Sequence, residues 1–451
     1  MGPKFIQSHY STIPAPPVTY GEFVEEIEDI RGYRYGHYHP VHIDDRLKER
    51  YRVVHKLGSG TFSTVWLAVD EKTTKHVAIK VGTTDASRSE IDIVSQMTQS
   101  PAMENLRADQ KLFPTILDRF EIIGPNGTHL CLVTPPARCN LRESQDAGSF
   151  GLFQLDVARS FAAQLVIALS IVHERGFAHG DLHLGNIFLQ MPSSLDSLSV
   201  EQLYARYGEP KKEPVVYLNP EEVSAHPSIP SYVVHAAWLG IPSDHVNLGE
   251  AKLILSDFGV AFRPDEKSQF DSHAIPVMRP PESQFEPEVP LTFASDIYSL
   301  GCAIFELVAH RTLLDGYFIV DENYITAQQI GLEGPMPSTW WRRWKGRSTY
   351  FDEEGNPLSK VSYHTWERRF GEWVQDSRQK WGMGTFAEDE MSALIKLLRC
   401  MLVWMPSDRP DISKVLQSEW MTKWALPAFQ KGLQEDVPMT QSHVRTRVCS
   451  N

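Results

Sequence analysis

Apolar and polar positions change rhythm along this chain. From Tyr51 onward the apolar runs are short and β-rich. Residues 51–57, 64–69 and 76–81 alternate around Gly58 and Gly60, which predicts antiparallel hairpins. Residues 87–99 carry Ile91, Val94 and Met97 at helical spacing. Residues 130–133 read as another strand, stopped by Pro135 and Pro136. Helical periodicity then takes over. Residues 156–174 place Phe161, Leu165, Ala168, Leu169 and Val172 on one side, and 294–308 and 388–402 repeat the pattern. The prediction is an α+β chain, with a small antiparallel sheet and one helix followed by a larger, mainly helical part.

The remaining stretches lack such rhythm. Residues 1–45 are rich in Pro, Tyr and His and read as an extended arm. Residues 191–250 carry Ser, Pro and Glu without sustained periodicity and read as an insertion or long loop. The end of the chain reads as a loose tail. The expected division is an extension at 1–50, a small lobe at 51–137, a large lobe at 138–425 interrupted at about 191–250, and a tail at 426–451.

Composition narrows the picture. The 451 residues, 42% hydrophobic and 22% charged, suit a two-lobed enzyme with a sizeable core. The longest apolar run, near 161–172, is shorter than the roughly 20 residues of a membrane span and is expected to be a buried helix. Glu22, Glu25, Glu26, Glu28 and Asp29 argue against an organellar transit peptide. Ile6 stands where a myristoylation signal after Gly2 wants Ser or Thr. Five cysteines, an odd number with no C-x-x-C pair, are expected to be reduced, buried thiols, and no zinc site is expected. The net charge of −13 disfavours nucleic acid as a partner and fits a basic protein substrate, although solubility alone would also account for it.

Three segments carry candidate chemistry. Leu57-Gly58-Ser59-Gly60-Thr61-Phe62-Ser63-Thr64-Val65 joins two predicted strands. Its glycines would let a backbone lie close over phosphate oxygens and present N–H donors to them. The strand–turn–strand setting excludes a Rossmann site, where a helix would follow. Val77-Ala78-Ile79-Lys80 then offers a lysine for phosphates and a small residue that can wall an adenine pocket, and Glu90 in the next helix is the ion-pair candidate for Lys80. The second segment is His179-Gly180-Asp181-Leu182-His183-Leu184-Gly185-Asn186, and the third is Asp257-Phe258-Gly259. Asp181 is a candidate catalytic carboxylate. Asn186 and Asp257 offer oxygens of the kind a hard cation such as Mg²⁺ takes.

In this order and spacing the motifs resemble those of the eukaryotic protein kinase superfamily. Pro280-Pro281-Glu282, Asp296-Ile297-Tyr298-Ser299-Leu300-Gly301 and Asp408-Arg409-Pro410 extend the resemblance into the large lobe. It implies a bilobal kinase fold, ATP and Mg²⁺, catalytic roles for Lys80, Glu90, Asp181 and His183, and a buried Glu282–Arg409 ion pair. A narrower likeness is to the SR-protein kinases. It rests on Tyr38-His39-Pro40-Val41, Tyr51, Phe62-Ser63-Thr64-Val65-Trp66-Leu67-Ala68, the interruption before Asp257, and Gly334-Pro335-Met336-Pro337 after Asp321-Glu322. That likeness implies phosphorylation of serines in Arg/Ser-rich proteins and cytoplasmic and nuclear residence; a monomer is expected, though no motif speaks to oligomeric state.

Departures from the family pattern are part of the reading. Gly180 stands where many kinases have an arginine that meets an activation-loop phosphate, so activity independent of loop phosphorylation is expected. His183 replaces a lysine that steadies the γ-phosphate, leaving a neutral imidazole to donate one hydrogen bond. At the expected hinge, Thr134-Pro135-Pro136-Ala137, two prolines remove two donors, yet Pro135 can accept from adenine and Ala137 can donate to it. Two alternatives stay open. One is a pseudokinase scaffold, motivated by Gly180, His183 and the hinge. The other is a small-molecule kinase of the aminoglycoside or choline type, whose loop is close to residues 179–186. Trp340, Trp341 and Trp344, interleaved with Arg342, Arg343, Lys345 and Arg347, read as a packed helix with a basic face rather than a nucleic-acid surface.

Overall fold

A computed structural model describes residues 18–19, 27–86, 89–99, 111–216, 227–316, 321–358 and 365–435. Six strands form one antiparallel sheet in the order Arg46–Leu47, Tyr51–Gly60, Ser63–Asp70, Lys75–Gly82, Gly127–Thr134, Asp118–Gly124. The first hairpin strand continues through its glycines to Gly60, because Gly58 and Gly60 stay paired with Val65 and Ser63. Asp118–Gly124, not anticipated from the sequence, pairs along its length with Gly127–Thr134. The helix Ser89–Thr98 buries Ile91, Ile93, Val94 and Met97. Alternation along the lysine strand sends Ile79 into a cluster with Val53, Trp66, Cys131 and Val133, and leaves Ala78 and Lys80 on the opposite face.

The large lobe is built on Leu155–Glu174 and Phe293–Val308, whose apolar residues share one core with the helix Glu388–Met401. By length and composition Leu155–Glu174 could cross a bilayer, but it is packed inside this lobe.

Four expectations need correction. The stretch read as an insertion or long loop contains a helix, Val200–Tyr207, and strands Lys212–Val216 and Tyr232–Val234. Its Leu195, Leu203 and Leu239 are buried against Val54 and Leu67 of the small lobe, a long-range match that local periodicity could not reveal. The stretch assigned to a tail begins with a helix, Leu426–Gln434, whose Phe429 is buried in the large-lobe core, so the lobe runs past 425. The described part of the arm from Ile27 onward is also packed. Ile27, Ile30, Tyr33 and Tyr38 cluster with Val233 of the insertion, and Arg46–Leu47 adds a strand to the sheet. Among the cysteines, Cys131, Cys139 and Cys302 are buried as expected, but Cys400 is exposed, and Cys449 lies outside the described residues. Trp340 and Trp344 are buried, with Arg342 and Lys345 exposed beside them.

Candidate active site

The fold brings the three candidate segments to one cleft. Lys80 Nζ lies 2.9 Å from both carboxylate oxygens of Glu90 and 3.3 Å from Oδ1 of Asp257. Burial works against the ammonium, but the two carboxylates outweigh it and hold the Lys80 pKa above its ordinary value. Burial likewise pushes the Asp257 carboxyl up, and Lys80 more than offsets this, leaving it below the usual carboxylate range. Asp257 has a φ of 62°, uncommon for a residue with a side chain. The adjoining Phe258 is fully buried, 4.9 Å from the His179 ring and 6.0 Å from that of Phe113, and this anchors the strained step.

Asp181 and Asn186 sit together at the start of the strand Ile187–Gln190. Asn186 Nδ2 donates to the Asp181 carbonyl at 2.9 Å and to its Oδ2 at 3.1 Å, which leaves the amide oxygen of Asn186 for another partner. Asp181 Oδ1 is buried without a hydrogen-bond partner among the described residues. His183 Nε2 is 3.6 Å from Asp181 Oδ2.

One residue quoted only as part of a motif proves central. The buried Asp296 accepts from the backbone N–H of His179 at 2.7 Å and of Gly180 at 2.9 Å, and its Oδ2 is 2.9 Å from His173 Nε2. Burial raises its pKa, but these partners dominate and hold it below the usual carboxylate range. Its place at the head of an apolar helix was the available signal, since a carboxylate there must find donors.

The phosphate-loop residues Leu57 through Val65 line the edge of the first hairpin, and a side-chain carbon built at Gly58 or Gly60 meets no described atom within 4 Å. Val65 pairs with Lys80, and Ala78 with Thr134, which places Pro135 and Ala137 just beyond. The strand of Ala137 pairs with that following Asn186, so hinge and catalytic loop share a floor. In the large lobe, Arg409 Nη1 and Nη2 hold both oxygens of Glu282 at 2.7 and 2.6 Å.

Residues 51–196 match the model of the protein kinase domain. The kinase spk-1 of Caenorhabditis elegans is 35% identical over 173 residues, covering 37% of this chain and 17% of that protein. The chain thus spans less than a fifth of that relative's length. The SRPK of Physarum polycephalum is 26% identical over 421 residues, covering 88% of this chain and 92% of that protein. Human SRSF protein kinase 3 is 32% identical over 171 residues, or 37% of this chain and 30% of that protein. Fold, motif order and these relatives agree: residues 51–196 match a protein kinase domain, and the chain as a whole is similar to the SR-protein kinases.

Proposed function

We propose that the protein is an ATP-dependent serine/threonine kinase acting on protein substrates, with Arg/Ser-rich proteins as the substrate class. The observation that supports this best is the convergence of Lys80, Glu90, Asp181, Asn186 and Asp257 on one cleft from segments far apart in sequence. The Lys80–Glu90 pair aims an ammonium at the phosphates of ATP. Asp181, with a buried and unpartnered Oδ1, accepts the proton of the substrate hydroxyl. His183 donates one hydrogen bond beside it.

The donor set suits Mg²⁺. Among the described residues no cluster of three or more His, Cys, Asp or Glu could hold an ion by itself. Asn186 Oδ1 and the Asp257 carboxylate instead provide two hard oxygens, the usual protein share where phosphates and water complete the shell. Bound there, the ion supplies charge neutralisation for phosphoryl transfer. The acidic net charge and the likeness to SR-protein kinases favour a basic substrate.

The test is transfer of labelled phosphate from ATP to an Arg/Ser-repeat peptide by the intact protein and by Asp181→Ala. Label on serine that vanishes in the variant supports the proposal. Equal background from two folded proteins, with Mg·ATP still bound, would favour the scaffold reading that His183 in place of lysine motivates.

A further inference from the structure

A glycine-rich turn has little of its own to hold it still. Here the turn Gly60-Thr61-Phe62 is fastened twice. The first fastening is local, since the Phe62 carbonyl accepts from Thr83 N at 2.9 Å and from Thr83 Oγ1 at 3.3 Å. The second comes from the arm that precedes the sheet. Tyr38 Oη donates to the Gly60 carbonyl at 2.8 Å.

Tyr38 is itself held from several directions. Its N–H donates to the Gly32 carbonyl at 3.0 Å, and its own carbonyl accepts from Asn126 Nδ2 at 2.6 Å. The same Asn126 nitrogen donates to the Ser228 carbonyl of the insertion at 2.8 Å. The ring lies so close over Gly32 that a Cβ there would stand 2.5 Å from it. Its ring packs in an apolar cluster with Ile27, Ile30, Tyr33 and Val233, and its hydroxyl reaches out of that cluster to Gly60. A buried phenol must spend its donor on a partner, and this one spends it on the turn expected to lie over the triphosphate.

We infer that Tyr38 is a positioning residue for the phosphate-binding loop, through which the packed arm and the insertion set the loop's backbone. The inference rests on the kinase reading above. Tyr38 touches no reacting atom and acts through the Gly60 carbonyl alone.

The experiment compares the full-length protein with Tyr38→Phe, which removes one oxygen and keeps the ring. Calorimetric binding of Mg·ATP is expected to weaken about fivefold, the scale of one net hydrogen bond. Adenosine has no phosphates for the loop to meet, and its affinity should stay the same. In the transfer assay KM for ATP should rise by a similar factor while kcat holds. Hydrogen exchange should quicken at residues 59–63 and stay unchanged in Lys75–Gly82, a readout that needs no activity. Equal losses for ATP and adenosine would overturn the inference, because they would report general damage to the lobe. So would unchanged ATP affinity and unchanged exchange. A wild-type protein that binds neither nucleotide would overturn the kinase reading, and this inference with it.

Discussion

His183 faces Asp181 with its proton already assigned by the backbone. Its Nδ1 accepts the Gly185 N–H at 3.0 Å, so the neutral ring carries hydrogen on Nε2, which lies 3.6 Å from Asp181 Oδ2. An N–H donor therefore stands beside the proposed base, where many kinases place an ammonium. His183→Ala should lower kcat about tenfold, with ATP affinity within about twofold, since a single neutral donor is lost. His183→Lys should keep or raise turnover. Steady-state kinetics on the Arg/Ser peptide decides this, and an alanine variant as fast as wild type would remove His183 from the site.

Asp181→Asn keeps the shape of the loop but removes the proton acceptor. Its kcat should fall by about 10²–10⁴. Binding of Mg·ATP, measured by calorimetry, should persist, because Lys80, Asn186 and Asp257 are untouched.

Gly180 has a φ of 80°, and a Cβ there would stand 3.2 Å from the Val260 carbonyl. An arginine at this position would be strained. Treatment with a protein phosphatase should leave activity within about twofold. Gly180→Arg should destabilise the fold by about 1–3 kcal/mol, read from chemical denaturation. A phosphatase-treated enzyme that loses its activity would show that another cation reads a loop phosphate.

The Glu282–Arg409 pair is buried, and Arg409 also donates to the carbonyls of Ala294, Val403 and Trp404. Arg409→Ala strands the carboxylate and those carbonyls, so a loss of about 3–5 kcal/mol in unfolding free energy is expected. Catalysis by the fraction still folded should change little, since neither residue is among the candidate groups for phosphate, metal or proton.

Burial pushes the Glu333 carboxyl up to about 7, although it accepts from Trp366 Nε1 at 3.2 Å. The unfolded chain releases this proton near 4.5, so the native state binds more protons between the two values. The contribution of Glu333 is therefore fully present below pH 4.5 and is lost as pH rises through about 7. Glu333→Gln keeps an acceptor for Trp366 and removes the titration. Relative to wild type, its melting temperature should rise between pH 5 and pH 8, by an amount worth on the order of 2 kcal/mol. Parallel melting curves at both pH values would refute this.

The chemistry of the cleft was legible because it depends on residue types at fixed spacing. Lys80, Asp181, Asn186 and Asp257 stood out as candidates through their joint order and spacing rather than singly, and Glu90 followed from its place in the helix after Lys80. Asp296 was visible as part of a motif, but its grip on the His179 and Gly180 amides was not, since those bonds span more than a hundred residues of chain.

By itself, the order of apolar periods and motifs determined a strand-rich lobe before a helical one and named candidate residues for phosphate, metal and proton. Periodicity records which face of an element is apolar, and so it finds elements that bury a stripe of their own. It does not record which partner covers that stripe. Only the tertiary structure decided that Leu195, Leu203 and Leu239 of the insertion cover Val54 and Leu67, and that Phe429 of the supposed tail completes the large-lobe core. It alone decided that Tyr38 reaches Gly60. Each is a contact between segments whose own patterns are short and irregular, and the free energy that orders them comes from the surface they meet.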